Sequence, residues 1–369
     1  MDDFLTRLPG AVVDDAGLQH LGNPLGEQRA LSLGRSVAVL GDRRVLAVTG
    51  EDRLSWLDSL TSQALTRLAP GVSTELLVLD PQGRVEHTAS VLDDGETTWL
   101  IVDAGDAAGL LTWLTRMRFR LRVVPRDAGD EYTVVGGTSA AIEAFVGNSG
   151  DHTARVVWHD PWPQISTGGY GYAAVEPHPG SDRDWSELLV PRATLEQMVD
   201  AATRDGLGMA GLIAVDALRV AAWRPRWSTE VDERALPHEY DWLRTAVHLS
   251  KGCYRGQETV AKVHNLGHPP RRIVALQLDG SGSRLPIRGA AVRVGADDVG
   301  VITSAALHYE DGPIALAVVK RSTPTDADLV VDGEDGPIAA AQEVIVPPEA
   351  GATASVPRIP RLGRRTPAR

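Results

Sequence analysis

The sequence predicts an α+β protein, two α+β portions followed by a small C-terminal β-barrel. Three observations predict it. Up to about residue 268, apolar runs of period two alternate with stretches of helical spacing, as antiparallel strands backed by helices require. After Pro269-Pro270 the helical spacing stops, and apolar runs of about four to eight residues recur between turns. The chain has 369 residues, 43% apolar and 23% charged, enough for two or three domains of about 100–200 residues with real cores.

The elements follow in order. Residues 1–30 are rich in Gly, Pro and acid and read as an irregular lead-in. A first portion, 31–125, opens with Ser36–Leu40 and Arg44–Val48 as paired strands about a Gly41-Asp42 turn. Asp52 then caps a helix on which Leu54, Leu57 and Leu60 share a face. Thr74–Leu79 is a strand ending in the turn Asp80-Pro81-Gln82-Gly83. Val85–Leu92 and Thr97–Val102 form a hairpin, followed by a helix over about Ala107–Arg118 and a strand at Leu121–Pro125. The second portion, 126–268, has strands at Tyr132–Val135, Arg155–Trp158 and Tyr170–Val175, and helices at Ser139–Phe145, Pro191–Arg204 and Met209–Trp223. The barrel, 269–348, contains Ile273–Leu278, Ala291–Val294, Val299–Ser304 and Ile314–Val319. The Pro-, Ala- and Arg-rich tail 349–369 reads as disordered.

Composition excludes some functions. A net charge of −12 argues against a protein that coats nucleic acid. No run approaches the roughly 18 apolar residues of a membrane span. The acidic start Met1-Asp2-Asp3-Phe4 lacks the basic flank of a signal peptide. A single cysteine forms no internal disulfide, which suits a reducing cytoplasm.

Chemistry concentrates in Lys251-Gly252-Cys253-Tyr254-Arg255-Gly256-Gln257-Glu258. Only three lysines occur in the chain, Lys251, Lys262 and Lys320, and two lie within ten residues of Cys253. Glycines on both sides of the cysteine suggest turns or a close approach. Lys251, Arg255 and the start of a helix near Glu258 would each favour the thiolate. Cys253 is therefore a candidate reactive thiol or soft ligand. The plainer alternative is a small buried hydrophobe.

This string resembles the signature of the YgfZ-type folate-binding proteins, relatives of the glycine-cleavage T-protein (aminomethyltransferase). The resemblance extends to Val48-Thr49-Gly50-Glu51-Asp52 through Trp56-Leu57, to Leu79-Asp80-Pro81-Gln82-Gly83-Arg84, and to Asp216-Ala217-Leu218-Arg219. In the barrel it includes Gly300-Val301-Ile302-Thr303-Ser304 and Ile314-Ala315-Leu316-Ala317. It spans roughly residues 35–345. It implies a three-domain ring holding tetrahydrofolate, or a one-carbon derivative, in a central opening. It also implies a role in maintaining or assembling iron–sulfur enzymes, with such enzymes or cluster-assembly proteins as partners and the motif cysteine essential. Lys251 and Arg255 would then keep Cys253 ionised, Tyr254 would line the pocket, Gly252 and Gly256 would shape the loop, and Gln257 and Glu258 would fix its exit into the helix.

Two departures matter. T-proteins carry an acidic pair where this chain has His87-Thr88, so aminomethyl transfer lacks its proton-handling carboxylate. Relatives also place a Glu two residues after the Arg, to pair with the pterin edge; here that position is Ala221. Glu230 is a possible substitute. Arg219, Trp223 and Trp227 are candidates for folate contact, the indoles by stacking. Arg271-Arg272 either meets an acidic ligand tail or forms a solvated edge. His264 and His268 have metal-like spacing, but Gly267 and Pro269 argue against a helix and a metal there. The leading expectation is a folate-binding accessory protein acting through Cys253. The alternatives are a one-carbon transferase, or a protein-binding module with a vestigial folate pocket.

Overall fold

The computed structural model describes residues 3–147, 156–173, 175–282 and 284–354. In chain order, β1 (Val12–Asp14) and β2 (Gly17–His20) form a small hairpin, and α1 (Pro24–Ser32) follows. Next come β3 (Ser36–Val39), β4 (Arg43–Thr49), α2 (Arg53–Leu60), β5 (Ser73–Leu79), β6 (Val85–Asp93), β7 (Thr97–Asp103), α3 (Ala104–Met117) and β8 (Val124–Asp127). Then follow β9 (Tyr132–Gly137), α4 (Ser139–Gly147), β10 (Val157–His159), β11 (Ser186–Pro191), α5 (Arg192–Arg204), β12 (Gly208–Ala210), α6 (Leu212–Ala221), the short α7 (Trp227–Glu230) and α8 (Gln257–Leu266). The last six strands are β13 (Arg271–Leu278), β14 (Ala291–Val294), β15 (Asp297–His308), β16 (Gly312–Lys320), β17 (Leu329–Gly333) and β18 (Gly336–Val344).

These strands make two five-stranded sheets, ordered β5-β6-β7-β4-β8 and β10-β11-β9-β3-β12, and a closed six-stranded barrel. The sheets pack face to face: Val45, Ala47, Trp99 and Ile101 of one meet Ala38, Val134, Trp158 and Leu189 of the other. Helices cover the outer faces, α2 and α3 on the first sheet and α4 and α5 on the second. The barrel has its own interior, including Val274, Leu276, Ala317 and Val319. Its outer face, with Ile273, Leu316 and Val318, packs on the segment carrying Trp242, Leu243 and Tyr254. The α+β class and the C-terminal barrel are as the sequence indicates. No helix among the described residues is long and apolar enough to cross a membrane.

Several elements differ from expectation. Ser36–Leu40 and Arg44–Val48 do not form a hairpin. β3 pairs with β9 and β12, β4 with β7 and β8, and Gly41-Asp42 is a crossover between sheets. The chain passes so close to the N-terminal hairpin there that a Cβ on Gly41 would lie 2.5 Å from the Ala16 carbonyl oxygen. Residues 1–30 are not irregular throughout, since they supply β1, β2 and most of α1. Asp52 forms no side-chain cap; its carboxylate takes hydrogen bonds from Arg122 instead. Residues 170–173 are not a strand, because their donors go sideways: Tyr170 N–H to the Leu243 carbonyl, Tyr172 N–H to Asp241. The helix at Met209–Trp223 starts later, because Gly208–Ala210 is a parallel strand beside β3. β11, β17 and β18 carry no signal we read. In the tail, residues 350–354 lie against α8, with Thr353 donating to the His264 carbonyl. Arg155 of the expected strand, and Arg358, Arg361, Arg364, Arg365 and Arg369 of the tail, lie outside the described residues.

Behind α8 lies a buried titratable cluster. His238 donates through Nε2 to the Val260 carbonyl at 3.0 Å, and the Tyr172 hydroxyl meets His264. Asp241 is fully buried, and one of its oxygens has no hydrogen-bond partner. Burial, only partly offset by the Tyr172 amide and Arg244, pushes its carboxyl up to about 7. A carboxyl raised on folding costs stability as pH rises from its unfolded value near 4 up to about 7. Asp241→Asn is therefore expected to stabilise the protein by about 1–3 kcal/mol at pH 8, with the gain vanishing below about pH 4, measured by urea unfolding across pH.

Candidate functional site

The motif loop is held from both sides while its thiol stands in solvent. Cys253 is exposed. On one side Lys251 is turned inward, its ammonium donating to the carbonyl oxygens of Asp58, Thr61 and Gln63, with the Asp58 carboxylate at 3.5 Å. On the other, Tyr254 is buried in the core beside the barrel, with the Lys251 ammonium 5.3 Å from its ring centre. Gly256 has φ +82°, and a Cβ there would lie 2.6 Å from the Asp80 carbonyl, so the loop docks on the 80–83 turn at a point only glycine allows. Gly252 meets nothing within 4 Å, so no close approach explains it. Gln257 Nε2 donates to the Lys251 carbonyl at 3.4 Å, and Glu258 is exposed in the first turn of α8.

The charge expected at the thiol is used elsewhere. Lys251 serves as a clamp on the loop after α2, and burial lowers its pKa. Arg255 pairs with Glu86 of β6 at 2.7 Å. On the same strand, His87 turns away to Asp106 of α3 at 2.5 Å. Thr88 and Ser90 face the central cavity.

That cavity has a volume of about 70 Å3 and lies between the two sheets and α6. Its walls are charged. Arg224 bridges Glu75 (2.7 Å) and Asp160 (3.2 Å), and Asp160 also holds Arg183 at 3.0 Å. Arg226 bridges Asp42 and Asp103, both at 2.5 Å, and Arg43 adds a second cation to Asp103 at 2.8 Å. Burial would push the Asp103 carboxyl up, but Arg43 and Arg226 together outweigh it and hold it at about 2.

The expected folate contacts divide. Arg219 lines the cavity, but its guanidinium is engaged by Asp216 (2.6 Å), Ser304 (2.7 Å), Thr229 (3.2 Å), Glu230 (3.3 Å) and the Arg224 carbonyl (3.2 Å). Glu230 is buried and accepts from Ser304, Thr229 and the Arg226 amide, so both oxygens are taken and it is no substitute for a pterin carboxylate. Trp227 lines the cavity and donates its indole N–H to the Glu86 carbonyl at 2.9 Å. Trp223 does not; at φ +57° it ends α6 and packs in the core with His178. Arg272 is neither a ligand contact nor a solvated edge. It alternates with Val274 and Leu276 and so points into the closed barrel, donating to the Thr323 carbonyl and Gln342. Arg271, on the other face, pairs with Asp232 and Glu239. Ala221 lines a neighbouring cavity of about 380 Å3 that shares Arg183 and Trp185 with the central one. His264 is on α8 after all, but it bonds Tyr172, while His268 bonds the Ala350 carbonyl at 2.9 Å. No cluster of metal-ligating side chains occurs among the described residues.

The residue our sequence reading missed is Glu187. It is 2% exposed on β11 and lines the central cavity. Its Oε1 accepts from the Trp185 indole, and its Oε2 has no partner. The run Trp185-Ser186-Glu187-Leu188-Leu189-Val190 was its signal, a carboxylate inside an apolar strand.

No family model matches the chain. It is 28% identical over 309 residues to an aminomethyltransferase of Rippkaea orientalis, covering 77% of this chain and 79% of that protein. It is 26% identical over 345 residues to an aminomethyltransferase of Streptomyces avermitilis, covering 89% and 92%. A putative chloroplastic transferase of Arabidopsis thaliana is 22% identical over 348 residues, covering 90% and 77%. The structure of glycine cleavage system aminomethyltransferase T from Bartonella henselae superimposes with a TM-score of 0.71 at 16% identity, covering 96% of each chain. The chain thus has the T-protein fold and is similar to aminomethyltransferases over most of its length.

Removing the Lys251 ammonium leaves three carbonyls without their charged donor. Lys251→Ala is expected to cost about 2–4 kcal/mol in urea unfolding, whereas Arg255→Ala, at a half-exposed pair, costs about 1 kcal/mol or less.

Proposed function

We propose that the protein is a tetrahydrofolate-binding accessory protein that supports iron–sulfur enzymes through Cys253 and does not catalyse aminomethyl transfer. The observation that carries this reading is the pairing of an exposed thiol with a central cavity that lacks a free proton-handling carboxylate on β6. That strand offers Thr88 and Ser90 to the cavity, and the carboxylate preceding them on the strand, Glu86, lies outside the lining and is paired with Arg255. A hydroxyl does not take up a proton near neutral pH as a carboxylate or imidazole does. A lone cysteine cannot hold an iron–sulfur cluster, so any such contact needs ligands from a client enzyme or assembly partner.

The donor set of the cavity fits a pterin. The unpartnered Glu187 oxygen can accept one hydrogen bond from the ring amine or amide, its other oxygen being held by Trp185, and Trp158, Trp185 and Trp227 supply apolar wall. Glu187 would orient the ring, Trp227 would wall it off from solvent, and Thr88 and Ser90 would offer hydroxyls. When bound, the folate supplies one-carbon chemistry. The volume is the constraint: about 70 Å3 is well below the roughly 300–1,000 Å3 of ordinary ligand sites, so binding is coupled to opening of the cavity. The same volume favours a second reading, a partner-binding module with a closed folate pocket.

Anaerobic calorimetry with tetrahydrofolate separates the two. Micromolar binding is expected for the wild type and Cys253→Ala, with Glu187→Gln weaker by about tenfold or more. In cells, Cys253→Ala is expected to lower iron–sulfur enzyme activities while leaving the fold intact. Absence of binding to every form would favour the partner module. Aminomethyl turnover by the purified protein would remove the non-transferase claim.

A further inference from the structure

A second, larger cavity opens on the other side of the wall formed by Asp42, Arg226 and Asp216. Its volume is about 780 Å3, inside the range of ordinary small-molecule sites. Three parts of the fold meet there: the N-terminal hairpin and α1, the first turns of α6, and the barrel through Leu285 and the end of β15. Gln28 holds them in place. It is fully buried, donates to the Leu307 carbonyl at 2.9 Å and accepts from the Tyr309 amide at 3.0 Å.

The lining is apolar at the mouth. Leu25, Ile213 and Leu307, one from each part, are 40%, 41% and 46% exposed, yet they converge on this one opening. Large apolar side chains left in solvent around a concave site mark a surface with something to cover. The charge leans negative, since Asp42 is matched by Arg226 and Asp216 is bonded to Arg219, but Asp14 forms no salt bridge among the described residues. The carboxylates are Asp14, Asp42 and Asp216, and no lysine contributes. Arg226 is the one cation in the lining, and it is already held between Asp42 and Asp103. Asp14 is exposed, its Oδ1 accepting from the Ala16 amide and Gln19 at 2.8 Å each and its Oδ2 left for a ligand, and Asp216 keeps 37% of its side chain open despite its bond to Arg219.

We propose that this cavity is a binding site, separate from the central one, for a small molecule with an apolar body and a protonated amine. The apolar body covers Leu25, Ile213 and Leu307, and the ammonium meets Asp14 and Asp216. The net negative lining disfavours a carboxylate-bearing ligand, including the acidic tail of a folate. The site stands whether or not the central cavity takes a folate.

The probe pair is 4-phenylbutylamine and 4-phenylbutyrate, equal in size and opposite in charge, titrated by calorimetry and by NMR at fixed ionic strength. The amine is expected to bind at least about tenfold more tightly than the acid. Asp14→Asn is expected to weaken it by about threefold and Ile213→Arg by about tenfold or more, with melting temperatures unchanged because Asn keeps the oxygen that accepts from Ala16 and Gln19 and Ile213 is exposed. Excess tetrahydrofolate is expected not to displace it. The inference is overturned if the acid binds as tightly as the amine, or if neither binds by about 10 mM. It is also overturned if Ile213→Arg leaves amine binding unchanged, or if tetrahydrofolate displaces the amine.

Discussion

The structure depends on one buried lattice of charge centred on the turn after α6. Within eight residues, Arg219, Arg224 and Arg226 reach all three parts of the fold. Arg226 holds Asp42 and Asp103 of the first sheet and its crossover. Arg224 joins Glu75 of that sheet to Asp160 beside the second. Arg219 reaches Ser304 of the barrel, with Glu230 closing the set. Burying so many ions is costly, and it is tolerated only because each has partners in good geometry. Loss of one member leaves its partner charged and dry, a penalty of about 3–5 kcal/mol. Such a lattice fixes orientation: two sheets and a barrel that could slide on apolar faces alone are held in one arrangement.

The lattice also shapes the chemistry. Because the arginines spend their donors on the surrounding Asp and Glu carboxylates, the centre of the molecule is narrow and offers few free groups. Glu187 stands out by contrast, with an oxygen left unused in a dry wall. The motif loop is organised on a different principle. Lys251 and Tyr254 pin it to the α2 loop and the barrel face, Gly256 presses it onto the 80–83 turn, and the thiol between these anchors is left in water. An anchored backbone carrying an exposed thiol suits presentation to another molecule, more than action on a ligand enclosed in the protein.

Local signals were legible and distant ones were not. The Asp80–Gly83 turn, the β6–β7 hairpin, α2, α3 and α5 lie near where spacing and turn chemistry place them, because a few neighbouring residues decide each. The hairpin read at Ser36–Val48 failed because two strands that follow each other need not share a sheet, and Asp42 is recruited by Arg226 from 184 positions away. Arg271 and Arg272 look equivalent in the sequence. Closure of the barrel makes one an ion-pair residue and the other an interior one. Trp223 and Trp227 are likewise alike in sequence, yet only Trp227 reaches the cavity, because Trp223 takes the left-handed turn that ends α6.

The sequence by itself determined the α+β class and the switch to a barrel after Pro269-Pro270, and it singled out the segment around Cys253 as a candidate. Each rests on short-range pattern or on residues adjacent in the chain. Tertiary structure alone decided what the charges do. Lys251 and Arg255 flank the cysteine in sequence, but Coulomb energy and desolvation are settled by whichever carbonyls and carboxylates the fold brings within about 3–4 Å. For these two, the nearest are on the α2 loop and on β6. The size of the central cavity, the unpaired oxygen of Glu187 and the acidic cavity beside the barrel belong to the same class of property, since each is made by segments that meet only when the chain is folded.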